Sequence, residues 1–340
     1  MLKKSNVAIF SDLHLGLHNN SEDWHKIALT WADWIVSELS EKKIKDIFFL
    51  GDFFDNRSEI SVQTLHVASE IFNKFKDFNM FCIIGNHDAF YKNRSDVHSM
   101  GLASGYPNIT IIDHNLEFEG YGKKFAFVPW NNDLPDGKFD YIFGHFEIVS
   151  FKMNNFAVCS KGLSPIDFLA SKTDRVFSGH FHRRSTGKYN EGEIHYVGNT
   201  FPMDFADVDN EKGYHILDVE TGGLEFFENT VSPKFKKFNL SKIKLIKEDD
   251  VKNNFVKMVV DLEVDDKKLD KFKAYLGKFH PYRLIVEYNV VKSTIDNVEE
   301  IDSINILDMF DEFIGQLKLD ESQDVRVDAI IKELYDRCVI

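Results

Sequence analysis

Cysteine is nearly missing: Cys82, Cys159 and Cys338 are the three copies in 340 residues. Their spacing matches neither a disulfide framework nor a thiolate zinc site. Reduced thiols and a cytoplasmic protein are the expectation. Proline is scarce at seven, and the chain has no proline-rich or low-complexity tract. No apolar run approaches the roughly 18 residues that a membrane span needs. Met1-Leu2-Lys3-Lys4-Ser5 leads into a short strand pattern without a signal-peptide core. Positive charge is also short. Forty-one Lys and Arg face 55 Asp and Glu, a net charge of −14 that argues against a broad basic face for nucleic acid. Bound divalent cations would offset several of those charges locally, and a partner could supply the positive groove.

What remains is a folded globular chain, 43% hydrophobic and 28% charged. At about 150 residues per domain, it accommodates one large α/β domain and a smaller one. Phenylalanine is abundant, at 32 copies, and is read as core filler.

Residues 5–11 predict a first strand, and Ser21 with Glu22 and Asp23 marks a helix start. Trp24, Ile27, Ala28, Trp31, Trp34, Ile35 and Leu39 then fall on one helical stripe, expected to pack on a sheet. Residues 46–50 read as the second strand, 61–78 as a helix and 81–84 as the third strand. This β-α-β-α-β order points to a sheet covered by helices, with ligands leaving the carboxyl ends of its strands. Short strands dominate from Ile109 onward, enough of them to suggest two packed sheets with helices outside. Composition shifts after Pro233. Residues 256–262, 267–279 and 282–291 read as strand, helix and strand of a small module, and the acidic stretch 303–340 as helical. The expected domains are 1–233, 234–297 and 298–340.

The chemistry sits at strand ends. Asp12-Leu13-His14 closes the run Val7-Ala8-Ile9-Phe10. In an extended backbone residues i and i+2 face the same way, so both side chains can reach one ion. The pattern of apolar strand, glycine and metal-capable side chain recurs at Gly51-Asp52, Gly85-Asn86-His87-Asp88, Gly144-His145 and Gly179-His180-Phe181-His182. Taken singly, each is an ordinary turn, cap or surface histidine. Their repetition behind strands that one sheet system would gather makes them ligands of a metal centre.

Carboxylates, an amide oxygen and neutral imidazoles without thiolates form a borderline-to-hard set that suits Mn²⁺, Fe²⁺ or Zn²⁺. Asp12, His14, Asp52, Asn86, His145, His180 and His182 are too many for one tetrahedral ion and enough for two, with the Asp52 carboxylate as bridge. Two ions about 3.5–4 Å apart steady the attacking and departing oxygens in phosphoryl transfer. His87 is left over, placed to meet a substrate phosphate or protonate the leaving oxygen. Asp88 is expected to hydrogen-bond the His87 ring and orient it.

Asp12-x-His14, Gly51-Asp52-x-x-Asp55, Gly85-Asn86-His87-Asp88, Gly144-His145 and Gly179-His180-x-His182 together resemble the five signatures of the calcineurin-like metallophosphoesterases. The resemblance spans residues 5–200 and implies a four-layer α/β (α+β) fold, a double β-sandwich flanked by helices. It implies one metal on Asp12, His14, Asp52 and His182 and another on Asp52, Asn86, His145 and His180, with His87 acting on the phosphate or leaving group. Within the superfamily the chain looks most like the SbcD-like DNA double-strand-break repair nucleases, including the recombination nuclease subunits of T-even phages. Gly51-Asp52-Phe53-Phe54-Asp55, the histidine pair and Tyr196-Val197-Gly198-Asn199-Thr200-Phe201-Pro202 carry that likeness, with Asn199 where relatives often have Ser.

That branch implies two Mn²⁺ ions (Mg²⁺, Fe²⁺ or Zn²⁺ as alternatives), DNA ends as substrate and a homodimer. It also implies a small capping domain and C-terminal helices that bind a coiled-coil ATPase of the SbcC/Rad50 type, through apolar residues such as Phe310, Phe313 and Leu334. Lys92, Arg94, Arg183, Arg184 and Arg57 are the basic residues nearest the ligands, and Phe90 and Tyr91 could stack on an unpaired end. The competing readings are a phosphoesterase for small substrates and a non-catalytic repair scaffold.

Overall fold

The computed structural model describes residues 5–170, 173, 175–189 and 192–289. The expected helical tail, with Phe310, Phe313, Leu334 and Cys338, lies outside them. Twelve strands form two six-stranded sheets. They are β1 (Asn6–Phe10), β2 (Asp46–Phe49), β3 (Asn79–Ile83), β4 (Ile109–Ile112), β5 (Leu116–Gly120), β6 (Lys123–Val128), β7 (Tyr141–Gly144), β8 (Arg175–Ser178), β9 (Ser185–Tyr189), β10 (Gly192–Tyr196), β11 (Gly213–Asp218) and β12 (Leu224–Glu228). The first sheet has the order β12-β11-β1-β2-β3-β4, and the second β5-β6-β7-β8-β10-β9. Strands β1 to β4 run parallel, as do β6, β7, β8 and β10; antiparallel pairs close the edges.

The central strands read as unbroken apolar runs because both of their faces are buried. In β1, Val7 and Ile9 face the second sheet, while Ala8 and Phe10 join the cluster under the helices. Strand β2 divides in the same way, with Phe48 turned inward and Ile47 and Phe49 outward. Phenylalanine fills the layer between the sheets. The Phe48 ring meets Phe81, Phe125, Phe127 and Phe143 edge-on, with centroids 4.9–6.1 Å apart. Offset and edge-on aromatic pairs of this kind add about 0.5–1.5 kcal/mol each beyond the area they bury.

Helices α1 (Glu22–Glu41) and α2 (Val62–Lys74) cover the outer face of the first sheet with Trp31, Ala32, Ile35, Leu39, Ala68, Ile71 and Phe72. Ser61 caps α2 by accepting from the Thr64 N–H at 3.1 Å. The outer face of the second sheet is covered by the short helix α3 (Pro165–Ala170) and by Phe146 and Phe151 from the loop before it. The result is the four-layer α/β arrangement.

A third sheet follows, of parallel strands β13 (Phe235–Asn239), β14 (Phe255–Val260) and β15 (Arg283–Tyr288). Helix α4 (Asp266–Gly277) makes the crossover and is capped by Asp265, which accepts from the Lys268 N–H. Val251, Val256, Met258, Leu269 and Leu276 form its own core. The small module therefore has three strands where the sequence pattern gave two. The missed strand, Phe235-Lys236-Lys237-Phe238-Asn239, is a lysine-bearing edge strand, the usual protection for an exposed sheet edge. Trp24 of α1 stacks on Phe255 at 5.4 Å with planes 1° apart and on Phe235 at 6.2 Å, joining this sheet to the sandwich. Among the described residues no helix is long and apolar enough to cross a membrane.

Candidate metal centre

The loops after β1, β2, β3, β7 and β8 meet at one end of the sandwich. Past β1 and β2 the two backbones stay zipped: Asp12, Leu13 and His14 donate to the Gly51 and Asp52 carbonyls at 2.9–3.1 Å. The extended geometry expected for Asp12-x-His14 is not adopted. Asp12 (φ 57°), His14 (φ 47°), Asp52 (φ 58°) and His180 (φ 82°) all sit in the left-handed region. Such backbone costs about 1–3 kcal/mol per residue and persists where its surroundings over-determine it. Asp12 and His14 therefore converge through a left-handed turn. Close packing of the loops explains Gly85, where a Cβ would lie 2.2 Å from Asp52 Oδ1 and 2.4 Å from the Asp52 nitrogen.

The seven side chains proposed as ligands come together in two adjoining groups. In one, donor atoms of Asp12, His14 and His182 lie within 4.8 Å of one another, and in the other those of Asp52, His145 and His180. Asn86 Oδ1 joins the second group, 2.9 Å from His145 Nε2 and 2.8 Å from His180 Nδ1. Asp52 Oδ1 accepts the His87 backbone N–H at 2.8 Å, which leaves Oδ2 facing both groups: 3.6 Å to His14 Nε2 and 3.2 Å to His145 Nε2.

Second partners fix the tautomers. His145 Nδ1 donates to the Leu50 carbonyl at 2.7 Å, so Nε2 is its lone-pair nitrogen when neutral. His14 Nδ1 lies 3.2 Å from Asp55 Oδ1 and donates to it, freeing Nε2, which is 3.1 Å from His182 Nε2. Oxygen and nitrogen lone pairs crowded this closely repel unless a proton or a cation lies among them. The residues present therefore fit divalent cations bound by nitrogen and oxygen.

The electrostatics agree. Burial works to lower the His145 pKa, but the Asp52 carboxylate, by charge and hydrogen bond, raises it to about 9. Burial likewise opposes protonation of His14, yet the Asp12 and Asp55 carboxylates as acceptors and the Asp52 charge lift it to about 10. Asp52 itself, despite its burial, is held far below the usual carboxylate range by His145, His14 and His87. Burial and neighbouring imidazolium charge push His180 down to about 3 and His182 to about 4. With no cation, protons on two histidines balance the carboxylates.

Asp88 departs from expectation. Its buried carboxylate accepts the backbone N–H groups of Asp52, Phe53, Phe54 and Gly85 at 2.8–3.2 Å. It ties the β2 and β3 loops together rather than orienting His87. The His87 ring is held instead by Asp55, whose carbonyl oxygen accepts from Nδ1 at 2.6 Å. Adjacent residues in this tight turn point to opposite sides, so sequence adjacency misassigned the pair.

Of the basic residues near the ligands, Arg184 is drawn away. It pairs with Glu211 at 2.9 Å and lies 3.9 Å over the Phe226 ring. Arg183 donates to Asn155 Oδ1, and Arg94 pairs with Asp96 at 3.1 Å and covers Tyr91. Lys212 and Trp130 are contributors that sequence reasoning did not single out, and Asp55 stood there only as a member of the Gly51-Asp52-x-x-Asp55 motif, without a role. Lys212 Nζ donates to the His182 carbonyl at 2.6 Å, and the Trp130 ring lies 5.1 Å from His180 and 6.1 Å from His145. The available signal for Trp130 was an aromatic beside polar Asn131-Asn132 at the end of an apolar strand.

Comparison with known proteins gives the following similarities. The chain is 28% identical over 320 residues to "Exonuclease subunit 1" of Enterobacteria phage T4, covering 90% of this chain and 91% of that one. A solved structure titled "Structural and Functional Characterization of a Novel Archaeal Phosphodiesterase" aligns with 14% identity over 66% of this chain and 99% of that one, at a TM-score of 0.37. The Calcineurin-like phosphoesterase family model matches residues 5–184, which hold Asp12, His14, Asp52, Asn86, His145, His180 and His182. The chain belongs to the calcineurin-like phosphoesterase family.

Proposed function

We propose that the chain is the nuclease subunit of a DNA-processing complex, hydrolysing DNA phosphodiesters at a centre for two divalent metal ions, Mn²⁺ first among them. The observation that carries this reading is the shared carboxylate: Asp52 Oδ2 faces His14 and His145 while Oδ1 is occupied by the His87 N–H. Asp12, His14, Asp52 and His182 would hold one ion, and Asp52, Asn86, His145 and His180 the other. Asp52 would be common to both. Such a pair would supply Lewis acidity toward phosphoryl oxygens and lower the pKa of bound water.

The protein's own part is positional. Asp55 Oδ1 orients His14, and the Asp55 carbonyl accepts the hydrogen bond that His87 donates from Nδ1. The exchangeable proton of His87 is therefore at Nε2, the atom that meets the substrate phosphate or protonates the departing sugar oxygen. The half-buried ring stands 4.7 Å from His14. The name of the phage T4 relative, an exonuclease subunit, supports DNA as substrate and a partner in the assembly. The remaining parts of the proposal are residues 1–233 as nuclease domain, 234–297 as capping domain and 298–340 as the segment that binds a coiled-coil ATPase, with the chain itself a homodimer.

The test is the full-length protein with Mn²⁺ on end-labelled duplex DNA and on bis(p-nitrophenyl) phosphate, with His87→Ala in parallel. Cleavage of DNA by the wild type and its loss in the variant are expected. Turnover of the small ester with none of DNA, even beside an ATPase partner, would assign the chain to small-molecule phosphodiesterases instead. Metal uptake without turnover of either substrate would leave only a scaffold.

A further inference from the structure

A cavity of about 300 Å³ opens beside the metal centre. Its lining includes His145, Trp130, Leu134, Phe146 and Leu163, with the polar residues Asn131, Asn132, Asp133 and Glu147 among them. It adjoins the metal centre: His145 is among its lining residues, and the Trp130 ring lies 5.1 Å from that of His180 and 6.1 Å from that of His145. Trp130 is fixed at its backbone, donating to the Ile84 carbonyl at 2.9 Å. Its indole Nε1 donates to the Lys92 carbonyl at 3.3 Å. The ring is thus held, yet remains half-exposed.

We infer that this cavity is a nucleobase subsite, taking the base of the nucleotide whose phosphate lies at the metal centre. The inference rests on the nuclease reading above and adds what that reading lacks, a place for the base. A planar aromatic ring fits the space, and an indole face stacks on any base. Carboxylates near the cavity suit a base rather than a second phosphate, since they accept from exocyclic amines and repel phosphate. A small ester without a base would make no use of these residues.

The experiment is calorimetric and needs no turnover. Full-length Mn²⁺-loaded protein is titrated with 2′-deoxyadenosine 5′-monophosphate and with 2-deoxyribose 5-phosphate. The nucleotide should bind about tenfold more tightly, the scale of one base–aromatic stack. Trp130→Ala should erase the difference between the two ligands and Trp130→Phe should retain most of it. Leu134→Trp fills the cavity while leaving the Trp130 ring in place and should also erase it, which covers the case in which Trp130→Ala disturbs metal uptake. Equal binding of both ligands by a wild type that cleaves DNA would overturn the subsite and leave the nuclease reading intact. A nucleotide preference that survives both Trp130→Ala and Leu134→Trp would place the base elsewhere. Neither ligand binding, with DNA uncleaved, would remove the nuclease reading and the subsite together.

Discussion

The ammonium of Lys212 donates to the carbonyl oxygen of His182 at 2.6 Å from a position 3% exposed, with Asp207 as its ion-pair partner at 2.5 Å. Asp207 in turn accepts the Met203 N–H at 2.9 Å and the Asn199 amide at 3.3 Å. One buried pair thus clamps the loop of His182, a proposed metal ligand, to the segment after β10. Lys212→Met would strand the Asp207 carboxylate and the His182 carbonyl, a change expected to cost about 3–5 kcal/mol. Urea unfolding reads that loss. A Mn²⁺ titration should fall with it, because His182 is held through its backbone. Removing both charges with Asp207→Leu and Lys212→Met should recover part of the stability.

His87, Asp88 and Asp55 separate by what each is bound to. His87→Ala leaves the backbone network intact, so fold and metal uptake should persist while DNA turnover falls by about 10²–10⁴-fold. Asp88→Asn should do the reverse in emphasis. An amide has one acceptor oxygen for the four N–H groups that Asp88 satisfies, and unpaired buried donors cost about 1–3 kcal/mol each. Thermal unfolding distinguishes the two variants. Asp55→Ala removes the carboxylate behind His14 but keeps the carbonyl behind His87. Metal affinity should drop about 10–100-fold, the usual effect of losing a group that orients a ligand.

The cluster of side chains that the structure gathers was legible in the sequence because Asp12, Asp52, Asn86, His145 and His180 each follow a strand whose apolar run is unmistakable. Those strands are buried on both faces, so the pattern is strong and the strand ends are sharply marked. Strands β5 and β9 carry no such signal. Glu117 and Glu119 alternate with half-buried positions in β5, and β9 is Ser185-Thr186-Gly187-Lys188-Tyr189 at the opposite edge. Lys212 and Asp55 were not legible as supports, since their partners are set by tertiary contact: Lys212 is 30 residues from His182, and Asp55 is 41 from His14. The left-handed turn at Asp12 and His14 was hidden for a related reason. Nothing local requires it, and the zipper to Gly51 and Asp52 imposes it.

Proton release should accompany metal uptake. At pH 7 His14 and His145, raised to about 10 and about 9, carry protons in the metal-free protein. Metal ligands must be deprotonated, so affinity rises with pH across this range. Calorimetry in buffers of different ionisation enthalpy should report about two protons released per filled site pair. The metal-free protein has the opposite slope. Groups with raised folded pKa contribute stability that is whole below the unfolded value of about 6.5 and lost as pH climbs through about 9–10. His180 and His182, lowered to about 3 and about 4, make the native state bind fewer protons than the unfolded chain below pH 6.5, so stability also falls on acidification. The site's contribution therefore peaks near pH 6.5 without metal. His145→Gln, which removes one raised group, should flatten the alkaline decline in melting temperature.

Trp24 decides how the small sheet is held. Its ring lies in one stack with Phe255 at 5.4 Å, Phe235 at 6.2 Å and Phe201 at 6.2 Å, and Phe235 and Phe255 stack on each other at 4.7 Å. Phe201 belongs to the segment after β10, so the stack couples the third sheet to the elements around the metal centre. Deleting a buried Trp ring costs about 3–5 kcal/mol through lost transfer energy and the cavity left behind. That loss falls at the junction, because the third sheet has its own core of Val256, Met258, Leu269 and Leu276. Trp24→Ala should therefore loosen the joint before it melts either part. Limited proteolysis should gain a cut between residues 229 and 234, and hydrogen exchange should quicken in β13 while β1 and β2 stay protected. Trp24→Phe, which keeps a ring in the stack, should show about half the effect or less on both readouts.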